Sequence, residues 1–350
     1  MKSLSITRRN FIGIGLGGAL SALTGRDAFA GEPVVRGKAQ AKRVLVIFEQ
    51  GGLSHIDTFD PKPDAPLEHR SPFKTIKTSA DGIYFTELLS KTAKYAHKLT
   101  VVRCMIQPTP GIGNSHPKGS QYIFSGEAPG GPIEMPDISS VIASKIGTSA
   151  LYLPSNILLP GTSEQAYNST VGFLPPGYTV FKTGGSPADP RWTVPNLSLA
   201  TGIDERRFKD RRDLLSSLNI GYVNAGQSRD VQAMSSLMNQ ASDMLTNPLT
   251  RKSFDIHTEP DGVREKYGMG HRGQCYLLAR KLIESGVRFV TVDVREPEHS
   301  FRDGMATTFA GGNNMNWDHH DAIYSTSHTN IPNGGAGAGR YGIGTWPMMG

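Results

Sequence analysis

The segment Ala279-Arg-Lys-Leu-Ile-Glu-Ser-Gly-Val-Arg-Phe-Val-Thr-Val292 constrains the fold more than any other part of the chain. Upstream, Cys275, Leu278, Ala279, Leu282 and Ile283 fall at i, i+3, i+4, i+7 and i+8, the spacing of one buried helix face. Gly286 stops the helix, and Val287 to Val294 has the β-branched, apolar content of a strand buried on both sides. A helix that turns straight into such a strand is half of a βαβ crossover, which predicts an α/β fold with a mainly parallel sheet.

A second strand is expected near the start of the mature chain. Val44 to Phe48 is apolar and β-branched, reads as buried, and breaks into Glu49, two glycines, Ser54, His55, Asp57 and Asp60 before Pro61. In open α/β sheets ligands bind beyond the carboxyl ends of strands, so these polar groups occupy a productive position. The same residues would also suit a loop whose Asp and Ser side chains bond only to nearby backbone. Leu88, Leu89, Thr92, Ala93 and Ala96 then recur at helical spacing, and Leu99 to Met105 reads as a further strand. Asp137 caps a short helix with Ile138, Val141, Ile142 and Ile146 on one face, closed by Gly147. Residues 150–200 are proline-rich with little periodicity and read as an irregular insertion or cap. Helices are expected at 204–218 and 230–246, the second with Val231, Met234, Leu237, Met238, Ala241 and Leu245 as its core stripe. Clustered Arg206, Arg207, Lys209, Arg211 and Arg212 read as a solvated helix face, with an anion site as the alternative.

The N-terminus defines where the protein goes. Arg8-Arg9 precede Phe11, a short apolar stretch runs to Leu23, and Ala28-Phe-Ala30 offers a small-x-small cleavage site. Residues 1–30 therefore resemble a twin-arginine signal peptide, followed by a polar linker over 31–42 and one α/β domain over 43–350. The implied location is periplasmic or secreted, by way of the twin-arginine machinery, with no stable membrane span after cleavage. Gly13-Ile-Gly-Leu-Gly-Gly18 satisfies a dinucleotide fingerprint but lies inside this leader with no strand before it. The net charge of +6 falls when the leader is removed, since 33 basic and 30 acidic residues remain, or +3. With no basic patch interleaved with aromatics, nucleic acid is not an expected partner. Cys104 and Cys275 both sit in apolar patterns and read as unpaired thiols.

Several residues could carry chemistry. Asp318 and His320 offer a carboxylate and an imidazole two residues apart, on one face of extended chain, a donor pair suited to zinc, manganese or calcium. Glu49, Asp57 and Asp60 could add oxygens from the first strand and its loop. Ser54 and Ser115 are candidate nucleophiles, and His116 a candidate ligand or general acid.

These motifs together resemble an exported bacterial family, the domain of unknown function 1501 family. The resemblance rests on the paired arginines, Gly51-Gly-Leu-Ser-His-Ile-Asp-Thr-Phe-Asp-Pro-Lys-Pro63 and Arg70-Ser-Pro-Phe73. It extends through Phe254-Asp255, Glu259-Pro260, Arg264, Tyr267-Gly268, the 279–292 crossover and Trp317-Asp-His-His320. The family is grouped with the alkaline phosphatase and sulfatase superfamily, which implies a parallel sheet flanked by helices and a metal-dependent phosphate or sulfate ester hydrolase. On that resemblance Glu49 takes the place of the first acidic ligand. Ser115-His-Pro-Lys-Gly-Ser-Gln-Tyr-Ile-Phe-Ser-Gly126 looks like the nucleophile segment, which makes Ser115 and His116 the catalytic pair and Glu49, Asp57, Asp318 and His320 the metal ligands.

The chain departs from the superfamily in lacking Cys-x-Pro-Ser-Arg, so a formylglycine nucleophile is not expected. The family's later Gly-Glu-Phe-Gly-Arg-Thr-Pro and Gly-Arg-Asp-His-Trp segments are also absent, which reads as a C-terminal truncation. The expected substrate is a small-molecule or polysaccharide ester. A non-catalytic exported binding or cell-surface protein on the same fold is the rival reading, and a metal-dependent phosphosugar mutase the third.

Overall fold

The computed structural model describes residues 41–294, apart from 50–53, 104, 107–109, 114, 151, 162–168 and 226–228. Its strands are β1 (Val44–Ile47), β2 (Thr75–Lys77), β3 (Tyr84–Thr86), β4 (Asn156–Pro160), β5 (Phe181–Lys182) and β6 (Phe289–Asp293). The helices are α1 (Ser90–Ala93), α2 (His116–Ser125), α3 (Ile138–Ile146), α4 (Glu205–Ala225), α5 (Arg229–Thr246), α6 (Pro248–Phe254), α7 (Asp261–Tyr267) and α8 (His271–Ser285). Among the described residues no helix is long and apolar enough to cross a membrane.

Four strands form one sheet in the order β1-β6-β4-β5, all parallel, and β2 and β3 make a separate antiparallel pair. This is the α/β architecture expected from the crossover. All five residues of β4 and of β6 are buried, as strands in the middle of a two-sided parallel sheet must be. Strand alternation divides their side chains between two layers. Ile157, Leu159, Val290 and Val292 join Cys275, Leu278, Ala279 and Leu282 of α8 in the main core. Leu158 points the other way, into a cluster with Phe124 of α2 and Val180, against which Val46, Phe48 and Ile138 of α3 pack. Each leucine fully buried in this way contributes roughly 1.5–3 kcal/mol.

The α8–β6 unit forms as its sequence dictates. Gly286 takes φ +112°, a left-handed conformation that closes the helix and that side chains with a Cβ rarely adopt. At the other end Gly273 lets α8 abut the end of α7, because a Cβ there would lie 2.0 Å from the Tyr267 carbonyl oxygen. Asp137 caps α3 as expected, its carboxylate accepting from the Ser140 N–H at 2.9 Å.

Four expectations are corrected. The apolar run Val44–Ile47 does form a strand, but Val44, Leu45 and Ile47 are 36, 41 and 52% exposed. β1 is an edge strand among the described residues, pairing with β6 alone, so apolar composition does not bury it. Leu99 to Met105 makes no ladder over its described residues. Its Val101 packs on the small cluster of Phe85, Ala93 and Ala96, beside the β2–β3 hairpin, while Leu99, Val102 and Met105 stay exposed. The stretch 150–200 is not merely an irregular cap, since it supplies β4 and β5. On α5 the buried positions include Ser242 and Met244, whereas Met238 and Ala241 of the expected stripe are exposed. α4 presents Arg206, Arg207, Lys209, Arg211 and Arg212 to solvent, the solvated-face reading of that cluster.

Candidate functional site

The carboxyl ends of the parallel strands carry the chain's most unusual polar group. The β1–β6 register pairs Ile47 with Val292, so the next step sets Phe48 beside Asp293, and the Phe48 N–H donates to the Val292 carbonyl at 2.8 Å. Glu49 is one residue further along. A crossover helix runs antiparallel to the strand it feeds, so the first turn of α8 lies at this same end of the sheet. Its 15 residues rise about 22 Å against about 17 Å for the five of β6, which carries that turn out to the strand ends.

Two side chains from that turn close on Glu49. Arg272 Nη1 donates to Glu49 Oε2 at 2.5 Å, and the Tyr276 hydroxyl donates to Glu49 Oε1. Their i, i+4 spacing puts guanidinium and phenol one above the other on a single helix face. The Arg272 side chain is only 2% exposed and Glu49 11%. Burial raises the Tyr276 hydroxyl above the ordinary tyrosine range, and the negative charge of Glu49 adds to that shift, while the positive charge of Arg272 opposes it.

Beside this cluster, His271 Nδ1 lies 2.7 Å from Ser186 Oγ, joining α8 to the loop after β5, and 3.9 Å from the buried Cys275 sulfur. Cys104 lies outside the described residues. Asp293, at the end of β6, is 1% exposed.

The other residues singled out from sequence are held elsewhere. Asp57 is fully buried in the turn after β1, where its Oδ1 accepts from Ser71 Oγ at 2.8 Å and its carbonyl from Thr86 Oγ1 at 2.6 Å. Asp57 thereby ties the Gly51–Pro63 motif to Arg70-Ser-Pro-Phe73 and to β3. Asp60 pairs with Lys62 at 2.8 Å and Arg103 at 3.4 Å. Ser54 offers its carbonyl to Thr58 Oγ1 at 2.7 Å. Ser115 precedes α2 at the N-cap position, yet its side chain makes no capping bond. His116 begins the helix half-buried, its carbonyl accepting from Ser120 Oγ at 2.7 Å. Glu49 is thus gathered with α8 and Asp57 with Ser71 and β3. Asp318 and His320 lie outside the described residues. Among the described residues no group of three or more His, Cys, Asp and Glu side chains comes together.

Residues 41–341 match the family described as Protein of unknown function (DUF1501). The chain belongs to this family. No curated protein and no solved structure matches the chain. In this DUF1501 protein the matched region starts just before β1 and takes in both partners of the Asp57–Ser71 bond and the whole α8–β6 unit.

Arg272, Tyr276, His271, Ser186 and Asp293 were not among the site residues read from sequence. One signal for Asp293 is visible in retrospect, since β6 ends an apolar run on an acid just as β1 does with Glu49. Arg272 and Tyr276 share a face with the start of the α8 apolar stripe, an unusual place for a cation.

Proposed function

We propose that this DUF1501 protein is an exported, metal-dependent hydrolase of phosphate or sulfate esters on an alkaline-phosphatase-type sheet. The single observation that carries the reading is Glu49, a carboxylate at the carboxyl end of a parallel strand, gripped on both oxygens by donors from α8. That is where α/β sheets bind ligands. It is also how a ligating carboxylate is ordinarily supported, with hydrogen-bond donors behind it. The proposed donors have the oxygen and imidazole chemistry that zinc, manganese or calcium would need, but Glu49 and Asp57 are held in separate clusters and Asp318 and His320 lie outside the described residues, so the metal is carried by the sequence motifs and not by an assembled site. When bound, such a cation would polarise the ester and stabilise negative charge on an attacking oxygen.

The chain's own groups have separate tasks. Ser115 has no capping bond to give up, which leaves its hydroxyl oriented by substrate rather than by the helix. In this reading Ser115 loses its proton to solvent and attacks the phosphorus or sulfur centre, the ester bond to the alcohol breaks as a protonated His116 gives the leaving oxygen its proton, and water then cleaves the Ser115 ester to release phosphate or sulfate and restore the hydroxyl. The substrate is a small-molecule or polysaccharide ester met outside the cytoplasm, after twin-arginine export and removal of residues 1–30.

The test is turnover of aryl phosphate and aryl sulfate esters by the exported protein supplied with zinc, manganese or calcium. Release of the aryl alcohol that disappears in Ser115→Ala and in His116→Gln supports the assignment, and no release with any metal contradicts it. One observation favours a second reading, a non-catalytic binding or cell-surface protein: Glu49 is already charge-compensated by Arg272. Saturable binding of an anionic glycan without turnover would mark that case.

A further inference from the structure

We propose that Ser186 and His271 form a second catalytic pair, a nucleophile and its base, that cleaves carboxylic esters. The pair stands apart from the Ser115 reading and shares no residue with it. Ser186 follows β5 in the turn Gly184-Gly-Ser-Pro187, beyond the carboxyl end of a parallel strand, where α/β sheets place ligands. Gly184 and Gly185 take φ +64° and +61°, left-handed backbone that a residue with a Cβ adopts only at a cost. Three bonds hold this turn rigid. The Gly184 N–H donates to the Pro160 carbonyl at 2.8 Å, and the Trp192 indole N–H to the Gly184 carbonyl at 2.9 Å. The Asp189 N–H donates to the Ser186 carbonyl at 3.0 Å. The serine is thereby presented to His271, the first residue of α8, whose Nδ1 lies 2.7 Å from its hydroxyl oxygen.

That distance is the reach of a nucleophile to its activating base. Burial also suits the two roles. His271 is 4% exposed, which keeps its imidazole from bulk water, whereas Ser186 is half-buried and Gly185 exposed. Among the described residues the Gly185 and Ser186 N–H groups donate to no backbone carbonyl. Adjacent N–H groups beside a nucleophile are what receives the oxyanion in acyl transfer. Ser79 and His97 supply a comparison, since their Oγ and Nδ1 lie 2.8 Å apart. There the Ser79 N–H is bonded to the Ala93 carbonyl and its Oγ already accepts the His97 N–H, so that pair is a tie between the β2–β3 hairpin and the chain after α1.

In the reaction Ser186 passes its proton to Nδ1 of the imidazole, which carries its own proton on Nε2, and attacks the carbonyl carbon. The Gly185 and Ser186 N–H groups meet the oxyanion that forms. As the bond to the alcohol breaks, His271 gives the proton to the leaving oxygen. Water, deprotonated by His271, then cleaves the acyl-serine, which releases the acid and restores the hydroxyl. A carboxylic ester suits this turn because it needs one base and donors for a single developing oxyanion.

The experiment treats the full chain, with EDTA present, with a fluorophosphonate probe and separately with p-nitrophenyl acetate, and locates the probe by peptide mass spectrometry. Ser186 should be phosphonylated and the acetate ester hydrolysed. Ser186→Ala should abolish both, and His271→Gln should slow hydrolysis by about 100–10,000-fold. Ser79→Ala should behave as wild type in both. Thermal unfolding of each variant reports whether its fold is kept, and labelling of the wild type decides the matter even if His271→Gln does not fold. Absence of the probe from wild-type Ser186, or hydrolysis by Ser186→Ala at the wild-type rate, overturns the proposal. Either failure leaves the Ser115 reading intact, since that reading is tested by phosphate and sulfate esters with metal supplied.

Discussion

Glu49 and Arg272 allow a quantitative test by a double-mutant cycle. Glu49→Gln would take from the Arg272 guanidinium, 2% exposed, the negative charge that Glu49 supplies. Breaking a buried pair from one side costs about 3–5 kcal/mol, because the remaining charge stays desolvated. The 11% exposure of Glu49 gives water some access, so the value expected here is the lower end, about 3 kcal/mol. Arg272→Met should cost less, about 2 kcal/mol, since Glu49 keeps the Tyr276 hydroxyl and that partial access. The double variant has no stranded charge. It should lose about 3 kcal/mol, not the roughly 5 of independent sites, a coupling of about 2 kcal/mol. Urea unfolding of the protein at 25 °C, with midpoint and slope fitted for all four forms, measures it directly. Single losses below about 1 kcal/mol that simply add would mean the pair behaves like an exposed surface bridge, and the burial argument would be wrong.

Three further outcomes follow from individual residues. The Tyr276 hydroxyl titrates above the ordinary tyrosine range in the folded protein, chiefly because it is buried, so its contribution is complete below the unfolded value of about pH 10. It is lost as pH rises beyond that. The unfolding temperature of wild type should therefore fall more steeply than that of Tyr276→Phe between about pH 10 and 11.5, and parallel curves would refute this. Gly273→Ala should destabilise by about 1–3 kcal/mol in thermal or urea unfolding, because its Cβ would meet the Tyr267 and Gly268 carbonyl oxygens at 2.0 and 2.4 Å. Stabilisation, the usual result for glycine to alanine inside a helix, would show that the α7–α8 junction yields freely. Ser115→Ala should change stability by no more than about 0.5 kcal/mol, since no capping bond is lost, yet abolish ester turnover. Unchanged turnover would remove Ser115 as the nucleophile.

What could be read in advance tracks how local each signal is. The α8–β6 unit and α3 were legible because periodicity, a capping Asp137 or closing Gly286, and β-branched content agree within a few residues. β4 was hidden by the prolines around it and by Pro160 at its end, the punctuation of irregular chain. Leu99–Met105 has strand composition, but composition cannot distinguish a ladder from packing on a neighbouring hairpin. The exposure of β1 follows from strand order, which no local pattern encodes. Within the site, Glu49 stood out as the polar end of an apolar strand. Its partners did not, because a hydrogen bond across more than two hundred residues leaves no period in the sequence. Asp57 reads from the sequence as a candidate metal ligand, and neither its complete burial nor its bond to Ser71, fourteen residues on, has a local signal.

The most direct test of the central claim is the metal content of the purified protein, by elemental analysis, beside a variant carrying Asp318→Ala and His320→Ala. The hydrolase reading predicts near-stoichiometric zinc, manganese or calcium in the wild type and its loss in the variant. Protein purified without chelators that holds no metal even after zinc, manganese and calcium are resupplied would contradict it and turn the assignment to a binding protein.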